Sequence, residues 1–382
     1  MSKVEKISTT DEQVTSRRRF LKGGAVAAAG GAAAVAMPYV SRAQDTKVLK
    51  MQGAWGGGIF KEFAVDYVDR VNQMSGGTLR IDYLDVDAVV KTAEMQTAVS
   101  EEVIDAAHTV TAYWYSKNAA SSLFGTGPCW GWTANHLLGW VKYGGGQALY
   151  DELLTDILQL NLVGFFTGPM PAQPLGWFKE HITNVDQIKG LKYRTVGLAA
   201  NVLAEMGMEV TQLPGGEIQP AMQTGLIDAA EFNNPTSDKD FGMQDVSKHY
   251  HLASFHQSQE TFEIVFNKDV FFSLSDTERA ILQYASESAS ADMSWKYQDR
   301  YSNDLIALQQ EFGVTVYRTP DDIMAAQLVA WDTVLKDFVD NDPYFAKVVE
   351  SQKIWAKRVG AYELTNAPDY AGAYRHYFGD PV

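Results

Sequence analysis

Cysteine is almost absent from this sequence. Cys129 is the one cysteine among 382 residues. A single thiol excludes an intrachain disulfide, a four-thiolate iron–sulfur cluster and a structural zinc site built on several thiolates. Its neighbours, Gly127, Pro128 and Trp130, favour a buried structural thiol over a nucleophile. Thiol and iron–sulfur chemistry are therefore poor candidates for the function.

Positive charge is also scarce. The chain carries 32 Lys and Arg residues against 47 Asp and Glu residues, a formal net charge of −15. Seven of the basic residues but only three of the acidic ones lie in residues 1–43, so the remainder is more acidic still. Such a surface repels nucleic acids and anionic lipids. We therefore expect no nucleic-acid partner, and an anionic ligand would need positive charge placed locally.

The sequence lacks a hydrophobic run long enough to anchor it in a membrane. Residues 23–37 are Ala- and Gly-rich and fall short of the roughly 20 apolar residues of a transmembrane helix. They follow Ser-Arg-Arg-Arg-Phe-Leu-Lys at 16–22 and lead to Ser-Arg-Ala at 41–43, the pattern of a cleavable export signal. Paired arginines before Phe-Leu-Lys are typical of the twin-arginine route, which exports folded proteins. We predict a signal peptide over 1–43, cleaved near Ala43, and a periplasmic mature protein.

Strand-like and helix-like segments alternate along the rest of the chain. A short strand at 48–52, an apolar helical face over 60–71 and an alternating strand at 78–84 begin the pattern. Further strands are predicted at 105–110, 162–166, 176–179, 191–196, 209–213, 227–232, 261–267 and 314–317, with helices at 92–103, 198–206 and 217–224. This alternation predicts an α/β architecture with largely parallel strand pairing.

The length and order of these segments predict two domains. Domain I is assigned residues 44–167 and 261–318. The chain is predicted to return to this domain through the strand at 261–267, after the second series of strands and helices has ended. Residues 168–260 are assigned to domain II, and residues 319–382 to a C-terminal helical segment. The second domain is thus predicted as an insertion in the first.

The longest helical pattern covers residues 276–312. Ser-Asp-Thr-Glu at 275–278 is a capping-box sequence, and Gly313 is placed to end the helix. Its length predicts a helix that connects the domains. Two later stretches, 321–339 and 344–359, are rich in aliphatic and aromatic residues. They either pack within the chain or form a dimer surface, and the sequence does not separate these alternatives.

Several segments resemble nucleotide-binding or metal-binding motifs but lack their defining spacing. The Trp-Gly-Gly-Gly segment at 55–58 and the glycines at 144–146 lack the spacing of nucleotide-binding loops. The seven histidines form no metal-binding motif, and His249 and His251 are interpreted as surface or loop residues. No Gly-x-Ser-x-Gly elbow is present to indicate a hydrolase nucleophile.

Three polar residues stand in more specific surroundings. Gln173 lies in a Pro-rich loop before Gly-Trp-Phe at 176–178, Arg194 interrupts an apolar strand, and Glu231 follows another strand. An arginine in an apolar strand is costly unless its guanidinium meets a carboxylate. Ligands of α/β proteins gather at the carboxyl ends of strands. The alternatives are an internal ion pair for Arg194, a surface carboxylate for Glu231 and an ordinary loop residue for Gln173.

The segments around these residues strongly resemble the DctP-like solute-binding proteins of TRAP (tripartite ATP-independent periplasmic) transporters. The most specific match pairs Gly-Leu-Lys-Tyr-Arg at 190–194 with Gly-Leu-Ile-Asp-Ala-Ala-Glu at 225–231. Other matching motifs are His-Thr-Val at 108–110, Tyr-Gly-Gly-Gly at 143–146, Gly-Trp-Phe at 176–178, Pro-Gly-Gly-Glu-Ile at 214–218 and Phe-Asn-Lys at 266–268. The resemblance covers essentially the whole predicted mature chain. It is strongest to the subgroup that binds 2-oxo acids and related monocarboxylates with a metal ion, and it implies a two-lobe, type II-like periplasmic binding protein.

The resemblance also implies roles for individual residues. Arg194 would form a bidentate pair with the ligand carboxylate, a task suited to a planar guanidinium. The side chains of Gln173 and Glu231 and the backbone carbonyl of Phe232 would bind a cation that bridges to ligand oxygens. A set of oxygen donors indicates a hard ion such as Na⁺ or Ca²⁺.

One metal ligand is left open by the resemblance. Some relatives have another acidic ligand before the Phe-Asn-Lys motif, and direct alignment places Gln257 there. A small gap would place Gln259 or Glu260 there instead. The choice affects the identity of the metal and the preference for the organic acid.

Aromatic residues complete the predicted site. Tyr113, with Trp114 or Tyr115, and Trp55 are predicted to form a wall of the ligand site, with ordinary core packing as the alternative.

The sequence therefore predicts a receptor rather than an enzyme. It would close over a small organic acid and a cation and deliver the acid to the permease subunits in the membrane. The alternatives are a periplasmic metal-dependent lyase or hydrolase that uses Glu231 with a nearby histidine, and a receptor that feeds a sensor.

Overall fold

The strands of the protein assemble into two mixed sheets, one of five strands and one of six. The computed structural model describes residues 46–213 and 215–381, so the predicted signal peptide lies outside the described residues. In chain order the strands are β1 (Lys47–Gly53), β2 (Leu79–Leu84), β3 (Ala106–Thr109), β4 (Leu162–Met170), β5 (Gly176–Phe178), β6 (Lys192–Arg194), β7 (Glu209–Thr211), β8 (Ala229–Ala230), β9 (His249–Leu252), β10 (Glu260–Asn267) and β11 (Thr315–Arg318).

The first sheet has the strand order β2-β1-β3-β10-β4. Strand β1 is parallel to β2 and β3, whereas β10 is antiparallel to both β3 and β4. Every residue of β10 is buried, as expected for a strand inside a covered sheet. The prediction of largely parallel pairing is wrong here, because a run of apolar residues does not report the direction of its strand.

The second sheet has the order β11-β9-β5-β8-β6-β7. Strand β6 is parallel to β7 and β8, β5 is antiparallel to β8 and β9, and β11 is parallel to β9. The prediction placed residues up to 318 in domain I, but β11 pairs within the second sheet. His251 lies in β9 and is fully buried, which corrects its interpretation as a surface or loop residue.

Two short segments carry the chain between the sheets. Residues 171–175, the first crossing, lead from β4 to β5, and residues 253–259, the second crossing, lead from β9 to β10. The crossings are joined because the backbone N–H of Gln173 donates to the carbonyl of Gln257, at 3.0 Å. The second crossing begins at Ala253, whose φ of 65° is uncommon outside glycine.

Helices cover both sheets. In chain order they are α1 (Gly58–Met74), α2 (Met95–Ser100), α3 (Ala134–Tyr143), α4 (Gly146–Glu152), α5 (Leu198–Glu205), α6 (Ile218–Thr224), α7 (Pro235–Asp240), α8 (Met243–Val246), α9 (Lys268–Ser273), α10 (Asp276–Gln310), α11 (Asp321–Asn341), α12 (Pro343–Asn366) and α13 (Tyr370–Phe378).

The long helix α10 matches its prediction closely. Ser275 and Glu278 form the predicted capping box: the Ser275 N–H donates to Glu278 Oε2 at 2.7 Å, and the Glu278 N–H donates to Ser275 Oγ at 3.3 Å. Over its 35 residues the helix packs against β4 and α1 from the first sheet's side and against α7 from the second's. It is therefore the predicted connecting helix.

The C-terminal helices pack partly on the rest of the protein. Helix α11 contacts α5 and α12, and α12 contacts α3 and α4. Helix α13 lies within the predicted helical segment 319–382, although its bounds were not predicted; it has no buried residue and exposes Tyr370, Tyr377 and Phe378. Within the described part of the chain, no helix combines the length and the hydropathy needed to cross a membrane.

Candidate functional site

A small cleft lies where the two sheets face each other. Its lining combines aromatic residues that precede the first crossing with Gln173 of that crossing, residues at the ends of β6 and β8, and Glu260 at the start of β10. The lining residues are Trp55, Phe60, Tyr113, Gln173, Arg194, Val196, Phe232, Asn233 and Glu260. Five of the predicted site residues, Trp55, Tyr113, Gln173, Arg194 and Phe232, are therefore brought to one place, with Glu231 directly behind them.

Strand geometry explains why Arg194 and Glu231 meet. Strands β6 and β8 are parallel neighbours, with Arg194 opposite Ala230, so both residues sit at the carboxyl ends of adjacent strands. Gly176 on the next strand has a φ of 112°, and a Cβ there would collide with the Ala230 carbonyl oxygen. The glycine thus lets the strands approach closely beside the site.

Arg194 is buried, with 2% of its surface exposed. Its Nε and Nη2 donate to the Leu213 carbonyl at 2.9 and 2.8 Å, and its Nη1 donates to the Glu231 carbonyl at 3.2 Å and to Glu231 Oε1 at 3.0 Å. The internal ion pair that the sequence left open as an alternative is therefore present. These four bonds leave one N–H of Nη2 without an acceptor among the described residues.

Glu231 is completely buried and only partly paired. Its Oε1 accepts from Arg194, while its Oε2 has no hydrogen-bond partner within the described residues. Burial raises the pKa of Glu231 from 4.5 to about 7, and the Arg194 guanidinium and the neighbouring Thr195 hydroxyl oppose that rise. A buried carboxylate oxygen without a partner is costly unless another group completes it.

The amide oxygens of Gln173 and Gln257 share this property. The Nε2 of Gln173 donates to Glu260 Oε2 at 2.7 Å, and the Nε2 of Gln257 donates to Thr195 Oγ1 at 3.2 Å. The Oε1 atom of each is buried and has no partner among the described residues. Together with Glu231 Oε2, three buried oxygens of the predicted metal ligands therefore have no hydrogen-bond partner among the described residues. These three atoms are the uncompleted oxygens of the site.

This set of donors suits a hard cation, which prefers carboxylate and amide oxygens. Within the described residues, no group of three or more His, Cys, Asp or Glu side chains is arranged to hold a metal. A site that uses the amide oxygens of Gln173 and Gln257 does not need such a group. The residues present therefore fit a Na⁺- or Ca²⁺-type site.

The three candidates for the remaining ligand differ in their surroundings. Gln259 is occupied elsewhere, since its Nε2 donates to the Gly127 carbonyl at 3.1 Å and its Oε1 accepts from Ser258. Glu260 lines the cleft, and its Oε2 accepts from both Gln173 and Asn233. Burial raises the pKa of Glu260 from 4.5 to about 7, and the neighbouring Glu231 adds to the rise.

Asn233 is a cleft residue that the sequence prediction did not include. Its side chain donates to Glu260, and its backbone N–H donates to Asp238 Oδ1 at 3.0 Å. The available signal was its position in the polar loop directly after Glu231 and Phe232.

The aromatic wall is formed by Trp55 and Tyr113. The indole N–H of Trp55 donates to the Tyr113 hydroxyl at 3.1 Å, and the Trp55 ring packs against Phe60 with 5.1 Å between centroids. Burial raises the pKa of Tyr113 to about 12, so the phenol stays protonated. Trp114 and Tyr115 point elsewhere: Trp114 donates to Glu263, and Tyr115 donates to Asn201 at 2.7 Å.

Histidines do not contribute to the cleft lining found in the described residues. His108 packs beside Phe262 and Phe63, with ring centroids at 4.5 and 5.4 Å, and burial lowers its pKa to about 3. It is therefore a neutral core residue.

The two sheets, the crossings and the cleft between them define a two-lobed solute-binding protein. The family model of bacterial extracellular solute-binding protein, family 7, matches residues 58–342, and the chain belongs to this DctP family. The family consists of solute receptors, so the prediction of a receptor rather than an enzyme is confirmed. The predicted α/β fold is also confirmed.

Individual relatives agree with this assignment. The monocarboxylate 2-oxoacid-binding periplasmic protein of Nostoc is 28% identical over 302 residues, which cover 79% of this chain and 81% of the relative. A TRAP periplasmic solute-binding protein from Pseudoalteromonas atlantica, solved with bound sodium and pyruvate, is 27% identical with a TM-score of 0.79, covering 87% of this chain and 99% of the other. A protein of the same kind from Colwellia psychrerythraea, solved with calcium and pyruvate, has the same identity and TM-score and is covered completely.

Proposed function

We propose that this protein is the periplasmic receptor of a TRAP transporter for a small 2-oxo or 2-hydroxy monocarboxylate, such as pyruvate or lactate, bound together with Na⁺ or Ca²⁺. The observation that carries the proposal is the incomplete pair in the cleft. Within the part of the chain that the structure describes, Arg194 retains one N–H without an acceptor beside Glu231, whose Oε2 is buried without a donor. An anion and a cation bound together would complete both groups. The pyruvate complexes of two structural neighbours support this choice of ligand.

Different residues of the cleft would bind the anion and the cation. Arg194 would donate its remaining N–H to the ligand carboxylate, and a bidentate pair would require one of its present bonds to be released. Gln173, Glu231, Gln257 and the Phe232 carbonyl would hold the cation. When bound, the cation supplies a positive charge that offsets Glu231 and the ligand anion.

The rest of the cleft would shape and close the site. Trp55 and Tyr113 would cover the ligand from the first lobe, and Arg194 and Phe232 from the second. A ligand that contacts both lobes favours the closed arrangement by its differential affinity for it. The closed receptor would then deliver the acid to the permease subunits.

Export and assembly complete the proposal. Residues 1–43 would act as a twin-arginine signal, removed near Ala43, which places the receptor in the periplasm. Residues at the end of α12 and in α13 would form a homodimer surface, because Tyr362, Leu364 and Tyr377 are exposed by 63%, 78% and 75%.

The test is a thermal-unfolding screen of the purified, ligand-free receptor. Pyruvate, lactate and longer 2-oxo acids are added with NaCl, CaCl2 or a cation-free buffer. We expect one acid to raise Tm in the presence of a cation, since a ligand at 100 times its Kd adds about 3 kcal/mol to the free energy of unfolding.

Four results would each contradict a part of the proposal. An unchanged Tm with all acids would defeat the assignment of the ligand class, and equal shifts without any cation would defeat the metal site. Chemical turnover of the bound acid would indicate an enzyme. A monomeric mass by light scattering of the same preparation would contradict the dimer.

A further inference from the structure

The second crossing is held by a helix that is remote in sequence. Both backbone polar groups of Phe255 are bonded to side chains of α11: its N–H donates to Gln327 Oε1 at 2.8 Å, and its carbonyl accepts from Trp331 Nε1 at 2.7 Å. These side chains take the place of a neighbouring strand, which would otherwise satisfy such groups.

Both polar atoms of the Gln327 amide are hydrogen-bonded to the second crossing. Its Nε2 donates to Ser254 Oγ at 2.8 Å, so the same side chain bonds two consecutive residues of the crossing. Gln327 is fully buried, and Trp331 is 3% exposed one turn further along the same face. A buried amide destabilises a helix–core contact unless both of its polar atoms are bonded.

The residues held in this way lead directly into the ligand site. Two residues after Phe255, the Gln257 carbonyl accepts the backbone N–H of Gln173, and the Gln257 side chain donates to Thr195 next to Arg194. A shift of the crossing at Phe255 would therefore displace the uncompleted oxygens of both glutamines.

Helix α11 also supports the other side of the site. It packs against α5, which begins at Leu198, four residues after Arg194. One C-terminal helix thus contacts the crossing that carries Gln257 and the helix that follows Arg194.

We propose that Gln327 and Trp331 are positioning residues for the ligand site, which hold the second crossing so that Gln257 and Gln173 converge on the cation and the organic acid. The inference rests on the proposed receptor function. It extends the functional site to a helical segment that does not line the cleft.

The experiment compares three variants of the whole mature protein. Gln327→Leu removes both bonds of the amide, and Trp331→Phe removes one N–H while keeping a ring. Gln352→Leu is the matched control, because Gln352 is equally buried, on α12, and its amide donates to the Leu123 carbonyl at 2.6 Å and accepts from Trp130 at 3.0 Å. Titration calorimetry gives the affinity for pyruvate at saturating CaCl2 and the affinity for Ca²⁺ at saturating pyruvate, and thermal unfolding without ligand gives Tm.

We expect Gln327→Leu to weaken both affinities about tenfold and Trp331→Phe to weaken them less, since each leaves a backbone group of Phe255 unpaired. Gln352→Leu should lower Tm as much as Gln327→Leu while changing either affinity less than about twofold. Should Gln327→Leu not fold, Trp331→Phe and the control decide the question. Variants that bind like wild type would overturn the positioning role and leave the receptor function intact. A wild-type protein that binds no such acid would overturn both.

Discussion

Two buried carboxyl groups, Glu231 in the cleft and Glu263 in the first sheet, share their burial and their acidity but not their surroundings. Each is completely buried, and burial raises the pKa of each from 4.5 to about 7. Glu263 has both oxygens occupied, Oε1 by the Trp114 indole and Oε2 by the Tyr150 hydroxyl. Glu231 has one oxygen paired with Arg194, and its other oxygen has no partner among residues 46–213 and 215–381.

Under the proposed function, the difference separates a structural carboxyl from one that binds the ligand and its cation. Burial and a raised pKa are common to both, so neither property identifies a ligand site by itself. Glu263 receives neutral donors that complete it within the fold. Glu231 stands beside a guanidinium that also retains an unused N–H, and two uncompleted amide oxygens accompany it. This unfinished hydrogen bonding is the observation that supports the proposed ligand site.

The largest effect is expected from Arg194→Met. The variant loses the donor for the ligand carboxylate, so the affinity for the acid should fall by roughly 10³-fold or more. The free energy of unfolding should also fall, by about 3 kcal/mol, because Glu231 is left buried without its partner. Calorimetry and urea unfolding measure the two quantities. Lys192→Met, an exposed change on the same strand, is the control, and wild-type affinity in Arg194→Met would contradict the assignment.

A smaller effect is expected from Glu231→Gln, and almost none on binding from Glu263→Gln. The first substitution removes the charge from the proposed cation site and should weaken the cation-dependent affinity about 100-fold. The second keeps an acceptor for Trp114 and should leave the affinity within about twofold of wild type. Calorimetry with CaCl2 and pyruvate tests the pair. Equal losses in both variants would mean that the comparison between the two carboxyls does not hold.

The last expected effect concerns stability alone, through its dependence on pH. Since the folded-state pKa of Glu263 is raised to about 7, its carboxyl stabilises the fold fully below pH 4.5, and this contribution is lost as the pH rises through 7. Wild type should therefore lose stability between pH 5 and pH 8 more steeply than Glu263→Gln, by at most about 1.4 kcal/mol per pH unit. Glu231 and Glu260 act in the same direction in both proteins. Urea unfolding at several pH values gives the slopes, and parallel curves would refute the role of Glu263.

Much of the fold follows from local patterns in the sequence. The apolar faces of α1 and the alternation in β2 depend on neighbouring residues, and the capping box at Ser275 places the start of α10 at the predicted residue. The direction of β10 and the sheet to which β11 belongs depend on distant partners, so no local pattern reports them. Helix α13 lies in the segment predicted to be helical and has aromatic residues at helical spacing, Tyr370, Tyr374, Tyr377 and Phe378, but none of its residues is buried.

The candidate site likewise contains residues that the sequence could indicate and residues that it could not. Arg194 and Glu231 were predictable because charged residues at the ends of apolar strands need a reason to be there. The choice among Gln257, Gln259 and Glu260 was not, since it depends on which side chains are already bonded. Gln327 and Trp331 have no sequence signal at all, as a buried glutamine and tryptophan in a helix resemble ordinary core residues.

The position of β10 between β3 and β4 also bears on how the chain folds. Until residues 260–267 insert, β3 and β4 each present an open edge, and the whole second-sheet segment from β5 to β9 must be made before they arrive. Contacts between such distant segments form slowly, and open edges favour aggregation in the meantime. A receptor with this topology is therefore exposed to misassembly late in its synthesis. Inserting β10 between β3 and β4 before the chain crosses a membrane, as twin-arginine export would require, would remove that risk from the periplasm.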